Sequence, residues 1–156
     1  MENEIIEKIE FMIGYTFTKK ENLIKAVTHG SASNEKKEEY GNYEDLAKFG
    51  DRILNFIVIE ELFRQNRIDD IETGHIKKNN YINNQNLMEK AKNIGIRPLR
   101  EFLVLGKGSE SDSNIDESDK IYGDVIEALI AAIYLDSEGN LDKLRKFILE
   151  KLNVLD

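Results

Sequence analysis

The run IYGDVIEALIAAIYLDSEG, residues 121–139, decides how this chain folds. From Ile121 to Leu135 apolar and small residues follow one another so densely that the spacing predicts a helix buried on most of its circumference. Asp124 and Glu127 interrupt it, three residues apart and so on the same side. An ionised carboxylate is costly to bury unless something positive compensates it, so two in such a run mark a candidate site, and acid so placed usually holds a metal. The competing reading is that they only cap or solvate the start of a buried helix.

Outward from this run the chain reads as mostly helical. Downstream, Asp136-Ser137-Glu138-Gly139-Asn140 turns it into a last amphipathic helix through Leu152. Upstream, Ile5, Ile6, Ile9, Met12 and Ile13 predict a first helix over about Asn3 to Met12, stopped at Gly14. Glu21 to Thr28 is a second short helix, and HGSASNEKKEEYGN, 29–42, is a polar loop. From Tyr43 to about Phe63, Leu46, Phe49, Ile53, Leu54, Ile57, Val58 and Leu62 sustain a helical period dense enough for a helix crossing the middle of the fold. Gly50 inside it costs about 1 kcal/mol against alanine, which a close contact or a bend would explain. One short helix is expected in the polar tract 67–86 and another over Leu87 to Ile94; beyond Pro98 lie a short apolar piece and a Gly/Ser/Asp loop. The expectation is an all-α fold with residues 1–156 forming one domain.

Composition narrows the function classes. The 156 residues carry 30 acids against 22 bases, a net charge of −8, opposite to the usual footprint of a nucleic-acid binder. If RNA is the ligand, divalent cations or local basic patches must offset the repulsion. With no cysteine, disulfide frameworks, thiolate zinc sites and cysteine nucleophiles are excluded. The acidic N-terminus does not read as a secretory signal and no apolar run reaches membrane-spanning length, so a soluble, cytoplasmic protein is expected.

NYEDLAKFGDRILNF, 42–56, resembles the signature helix of the ribonuclease III endonuclease domain, whose usual form is close to N-x-E-x-L-E-F-L-G-D. IYGDVIEALIAAIYLD, 121–136, is similar to that family's second acidic helix, and GYTFTKKENLIKAVTHGSAS, 14–33, to its G-Y-x-F…L-x-x-A-x-T-H-x-S segment. With INNQNL, 82–87, the segments follow the family's order and cover most of the chain. The resemblance implies an all-helical domain that forms a homodimer and cleaves double-stranded RNA with Mg2+ or Mn2+, reading A-form shape and 2′-hydroxyls rather than sequence. Because the chain stops soon after the last helix, a short form without a double-stranded RNA-binding module is expected.

Phosphodiester hydrolysis at neutral pH suits hard cations held by carboxylate oxygens, with no need for His or Cys. The sequence offers Asp51, Asp124 and Glu127, with Glu44 about two turns before Asp51 on one helix face. By resemblance Asp51, Asp124 and Glu127 match metal ligands, Glu44 matches an acidic position near the cleavage site, and Glu72 is the nearest candidate for a further family acid. Lys77 and Lys78 make a small basic spot suited to phosphate contacts. His29 reads as a capping or packing residue and His75 as solvent-facing.

Two positions depart from the family. Its glutamate ligand falls on Ala47, which has no side-chain oxygen, and its following aromatic, which plugs the partner subunit, falls on Lys48. Lys48 lies four residues after Glu44 and three before Asp51, so its ammonium either pairs with one of them in the space the glutamate vacates or reaches across a dimer. The alternative function is a catalytically silent dimeric RNA- or protein-binding module of the same fold.

Overall fold

The computed structural model describes residues 1–35, 40–110 and 113–156, and among them the chain is helical with no strand. The main helices are α1 (Asn3–Ile13), α2 (Lys20–Ala26), α3 (Glu44–Arg64), α4 (Ile71–Lys78), α5 (Asn84–Asn93), the single turn α6 (Lys107–Glu110), α7 (Asp119–Asp136) and α8 (Leu141–Arg145). Short 3-10 segments cover Gly30–Glu35, Leu99–Phe102 and Ser113–Glu117.

α7 is the axis of the fold. It buries Val125, Ile126 and every residue from Ala128 to Ile133, and α3, α5, α2 and α8 pack around it, α3 most extensively. Each fully buried Ile or Leu contributes on the order of 1.5–3 kcal/mol of transfer free energy, so this run alone accounts for a large part of the core. The α3–α7 approach depends on Gly50, where a Cβ would fall on the backbone carbonyl of Glu127. Of the two sequence explanations for this glycine, close contact is the one realised. Gly123 plays the same part against the Asn84 side chain and lets α5 close on α7.

Local chemistry sets the helix ends. Gly14, at φ +72°, ends α1 in the left-handed conformation glycine tolerates. Asp70, Asn83, Ser118 and Asn140 cap α4, α5, α7 and α8 by accepting from backbone N–H groups of the first turn. At the far end of α7, Asp136 accepts from the backbone N–H of Thr18 and Lys19, each at 2.9 Å, and from the Tyr15 hydroxyl at 2.7 Å, tying the loop after α1 to the central helix.

Several boundaries differ from the sequence reading. α2 stops at Ala26 because Val27 turns to pair with Val104: its carbonyl accepts from Val104 N–H at 2.9 Å, and Thr28 and Val104 form an isolated parallel bridge. The loop 29–42 contains a 3-10 turn, Gly30–Glu35, and its residues 36–39 lie outside the described ones. α5 begins at Asn84, three residues before the expected Leu87, because Asn83 supplies a cap. The last helix loosens into a π-helical turn over Lys146–Lys151. Phe49, counted among the core-facing positions, instead points outward. Among the described residues no helix is long and apolar enough to cross a membrane.

Candidate functional site

Where α3 crosses α7 the surface opens into a cleft of about 630 Å³. Its lining contains four acids, Glu44 and Asp51 from α3 and Asp124 and Glu127 from α7. The helical period puts each pair on one side of its helix, and the close approach at Gly50 brings the two sides together. Ala47 also lines the cleft and is buried, so the wall there offers a methyl group and no oxygen.

The acids differ in how they are satisfied. Asp124, mostly shielded, pairs with Lys120 one turn earlier at 3.2 Å. Asp51 accepts from the Asn55 amide at 3.1 Å, and that amide also donates to the Asp51 carbonyl at 2.6 Å. The Asn55 oxygen in turn accepts from Lys78, so a lysine on α4 orients the amide that orients Asp51. Glu127 lies within hydrogen-bonding reach of Asp51 and has no cation of its own among the described residues. Burial first, then the charges of Asp51 and Asp124 and the contact with Asp51, push its carboxyl up to about 8, against the pull of Lys120. Crowded, under-compensated carboxylates of this kind mark functional sites.

Their hard oxygen donors suit a magnesium-class ion. Among the described residues, however, no three His, Asp or Glu side chains are set as a finished cage. The donor chemistry and the charge imbalance fit a divalent cation, while the side-chain rotamers would have to close around it.

Lys48 and Arg52 sit on the rim of the same cleft. Lys48 is exposed and, among the described residues, makes no ion pair with Glu44 or Asp51, so the intrahelical pairing considered for it does not form. Glu72, exposed in the first turn of α4, does not line the cleft. Lys77 and Lys78 are half-buried and engaged, Lys77 with the Arg67 carbonyl at 2.6 Å and Lys78 with Asn55. His75 is exposed.

Two further residues line the cleft that the sequence did not place there. Tyr43, the buried residue before α3, lines the cleft, and burial followed by the charges of Asp124 and Glu44 raises its hydroxyl. His29 packs edge-on to Tyr43 and accepts from the Ser31 N–H, as the capping or packing reading expects, and it also lines the cleft. The bridge of Thr28 to Val104 swings it there, a long-range contact that helical periodicity does not report. The available signal was Ser31 two residues on, which the imidazole uses as a partner.

Comparison with known proteins gives one consistent answer. A family profile described as Ribonuclease-III-like matches residues 19–154. Ribonuclease 3 of Caldanaerobacter subterraneus subsp. tengcongensis is 35% identical over 144 residues, 91% of this chain and 60% of that protein. Ribonuclease 3 of Rhizobium meliloti is 34% identical over 145 residues, 92% of this chain and 56% of that protein. The chain thus spans somewhat more than half the length of these curated relatives. The nuclease domain of ribonuclease III from Campylobacter jejuni superimposes with a TM-score of 0.78 at 27% identity, over 98% of this chain and 95% of that one. A second structure of that domain, described for flexibility in a region involved in dimer formation, gives 0.77 at 26% identity, over 96% and 99%.

Proposed function

This chain belongs to the ribonuclease-III-like family, and on that premise we propose that it is a divalent-cation-dependent endoribonuclease acting on double-stranded RNA in the cytoplasm, as a homodimer. The observation that carries the reading is the convergence of Asp51 from α3 with Asp124 and Glu127 from α7 on one cleft, with Glu44 at the same opening.

Asp51, Asp124 and Glu127 would hold Mg2+ or Mn2+, which when bound supplies Lewis-acid activation of water and charge neutralisation at the phosphate. The chain's own groups do the rest. Asn55, oriented by Lys78, holds Asp51 in place by a hydrogen bond and so keeps one donor fixed before any ligand arrives. Lys120 pairs with Asp124 and only partly offsets the charge around Glu127, whose carboxyl burial and the neighbouring Asp51 and Asp124 still push up. Glu44 faces the same opening, where it can orient water by accepting its proton in a hydrogen bond. Glu72 would join only by a shift of α4, and Lys77 and Lys78 act more readily as braces than as phosphate contacts, because both ammonium groups are already bonded.

The homodimer is supported by a stripe on the opposite flank of α3. Phe49, Phe56 and Phe63 recur every seven residues, so they share one face, and they are 38%, 51% and 37% exposed. Phe49 packs edge-on to Tyr134 of α7, centroids 5.4 Å apart. Three phenylalanines in a row on a soluble helix form an apolar patch that a second copy would cover. Lys48, one residue before Phe49 and free of Glu44 and Asp51, stands where it can reach that partner or a phosphate.

A second reading has one specific support. Ala47 removes an oxygen from the wall of the cleft, which favours a module that binds structured RNA without cutting it. Incubation with duplex RNA and Mg2+ or Mn2+ separates the two. Cleavage lost in both Asp51→Ala and Glu127→Ala supports the nuclease; duplex bound intact by the wild-type chain under either metal supports the module.

A further inference from the structure

The cleft contains an imidazole whose proton position the surrounding contacts fix. His29 is anchored through its backbone, N–H to the Val104 carbonyl at 3.0 Å, and its ring meets Tyr43 edge-on at 5.9 Å. On one side of the ring, Nδ1 accepts from the Ser31 backbone N–H at 3.1 Å and lies 2.8 Å from the Ser31 hydroxyl. Because Nδ1 accepts the Ser31 N–H it carries no proton, so the Ser31 hydroxyl, whose oxygen accepts from the Gly106 N–H at 2.9 Å, turns its own proton toward Nδ1. Two donors converge on Nδ1, and the neutral ring must then carry its proton on Nε2.

Nε2 has no protein partner among the described residues, and none of their buried side-chain nitrogens or oxygens is left unpaired. Since the ring lines the cleft, Nε2–H is open to it. We propose that His29 contacts the substrate, donating Nε2–H to a non-bridging oxygen of the phosphodiester that lies against Asp51 and Asp124.

The proposal rests on the reading of the cleft as a phosphodiester site and adds a residue to it. Its physical reason is the surplus of acid. A phosphate entering this cleft is repelled by four carboxylates, and of the cations lining it Lys120 is already committed to Asp124 while Lys48 stands exposed at the rim. A neutral N–H donor escapes that competition and keeps its proton for the substrate. Burial, which holds the imidazole below its ordinary value against the opposing pull of Glu44 and Asp124, acts in the same direction.

The chain has only two histidines, so imidazole nitrogen spectra of the labelled, full-length protein resolve His29 directly. The expected spectrum is that of an Nε2–H ring, and adding a short RNA duplex in calcium shifts the Nε2–H signal while Nδ1 stays in place. In cleavage assays with Mg2+, His29→Asn, whose Oδ1 keeps an acceptor near Nδ1 but which loses Nε2–H, lowers kcat by about 10²-fold with KM changed less than about threefold. His29→Gln, which returns an N–H near Nε2, recovers to within about tenfold of wild type. An Nδ1–H ring, no Nε2–H shift with duplex bound, or equal losses in the two variants overturns the proposal. A wild-type chain that binds duplex and never cleaves it sinks the nuclease reading alone, and the imidazole shift then decides for His29. A chain that binds no duplex sinks both.

Discussion

α3 carries two stripes with the same seven-residue interval, and they are opposites. Glu44 and Asp51 face the confined cleft, whereas Phe49, Phe56 and Phe63 face open solvent beside it. One stripe has too much charge for its surroundings and the other too much apolar surface. On the proposed function each would take a different complement, a cation with its phosphate ligand on one side and a second copy of the chain on the other. Gly50, between them in sequence, belongs to neither stripe; its missing side chain presses α3 onto α7 and so fixes where both must point.

The largest effects should come from breaking the acidic stripe. Asp51→Ala or Glu127→Ala is expected to reduce duplex cleavage by on the order of 10³-fold, read in single-turnover assays, with the helical signal in circular dichroism unchanged. Gly50→Ala comes next and damages both stripes at once. A methyl group there collides with the Glu127 carbonyl, and the separation of α3 from α7 should cost about 3 kcal/mol, a fall of roughly 6–12 °C in Tm. Phe56→Asp should leave the helical signal in circular dichroism unchanged while weakening self-association by about 30-fold, measured by sedimentation, as expected for a central aromatic anchor. Ala47→Glu restores an oxygen to the wall and should raise the cleavage rate by about tenfold if a donor is what the cleft lacks. No gain would mean another group already supplies it.

The smallest effect separates a satisfied carboxylate from a crowded one on the same helix. Burial opposes ionisation of Asp136, but hydrogen bonds from the backbone of Lys19 and Thr18, from Tyr15 and from Asn22 outweigh it and hold its carboxyl below the usual carboxylate value. Its folded value thus lies below its unfolded one. The stability it contributes is fully present above the unfolded value and is lost as pH falls through the folded one. Asp136→Asn should therefore cost about 1 kcal/mol near neutral pH, and the gap to wild type should close as the solution is acidified, followed by denaturant titration across pH.

The sequence was most legible where local pattern and tertiary role coincide. α3 and α7 show their helical period because each buries a long face, and the four acids stand out because they interrupt it. Even the contact at Gly50 can be anticipated, since a helix interior rarely accepts that residue without a reason. Legibility fails where a residue's role is assigned by something distant. Asp136 reads as the start of a turn, yet its partners lie more than a hundred residues earlier. His29 reads as the end of a short helix, and only the pairing of residues 27 and 28 with Val104 turns it into the cleft. Lys77 and Lys78 look like a surface pair because the tract around them is polar, and the carbonyl and the amide they brace come from other parts of the chain. Phe49 fits the core period as well as Leu46 does. Nothing in the pattern says that the core ends just short of it.

The Gly50 crossing has one more consequence. Because a Cβ at position 50 would fall on the Glu127 carbonyl, the closest approach of α3 to α7 is a main-chain contact, which residues such as Ala47 and Lys48 do not take part in. A lineage could thus swap an acid for a methyl group at position 47, or an aromatic for an amine at 48, and retune reactivity step by step while inheriting an unaltered frame.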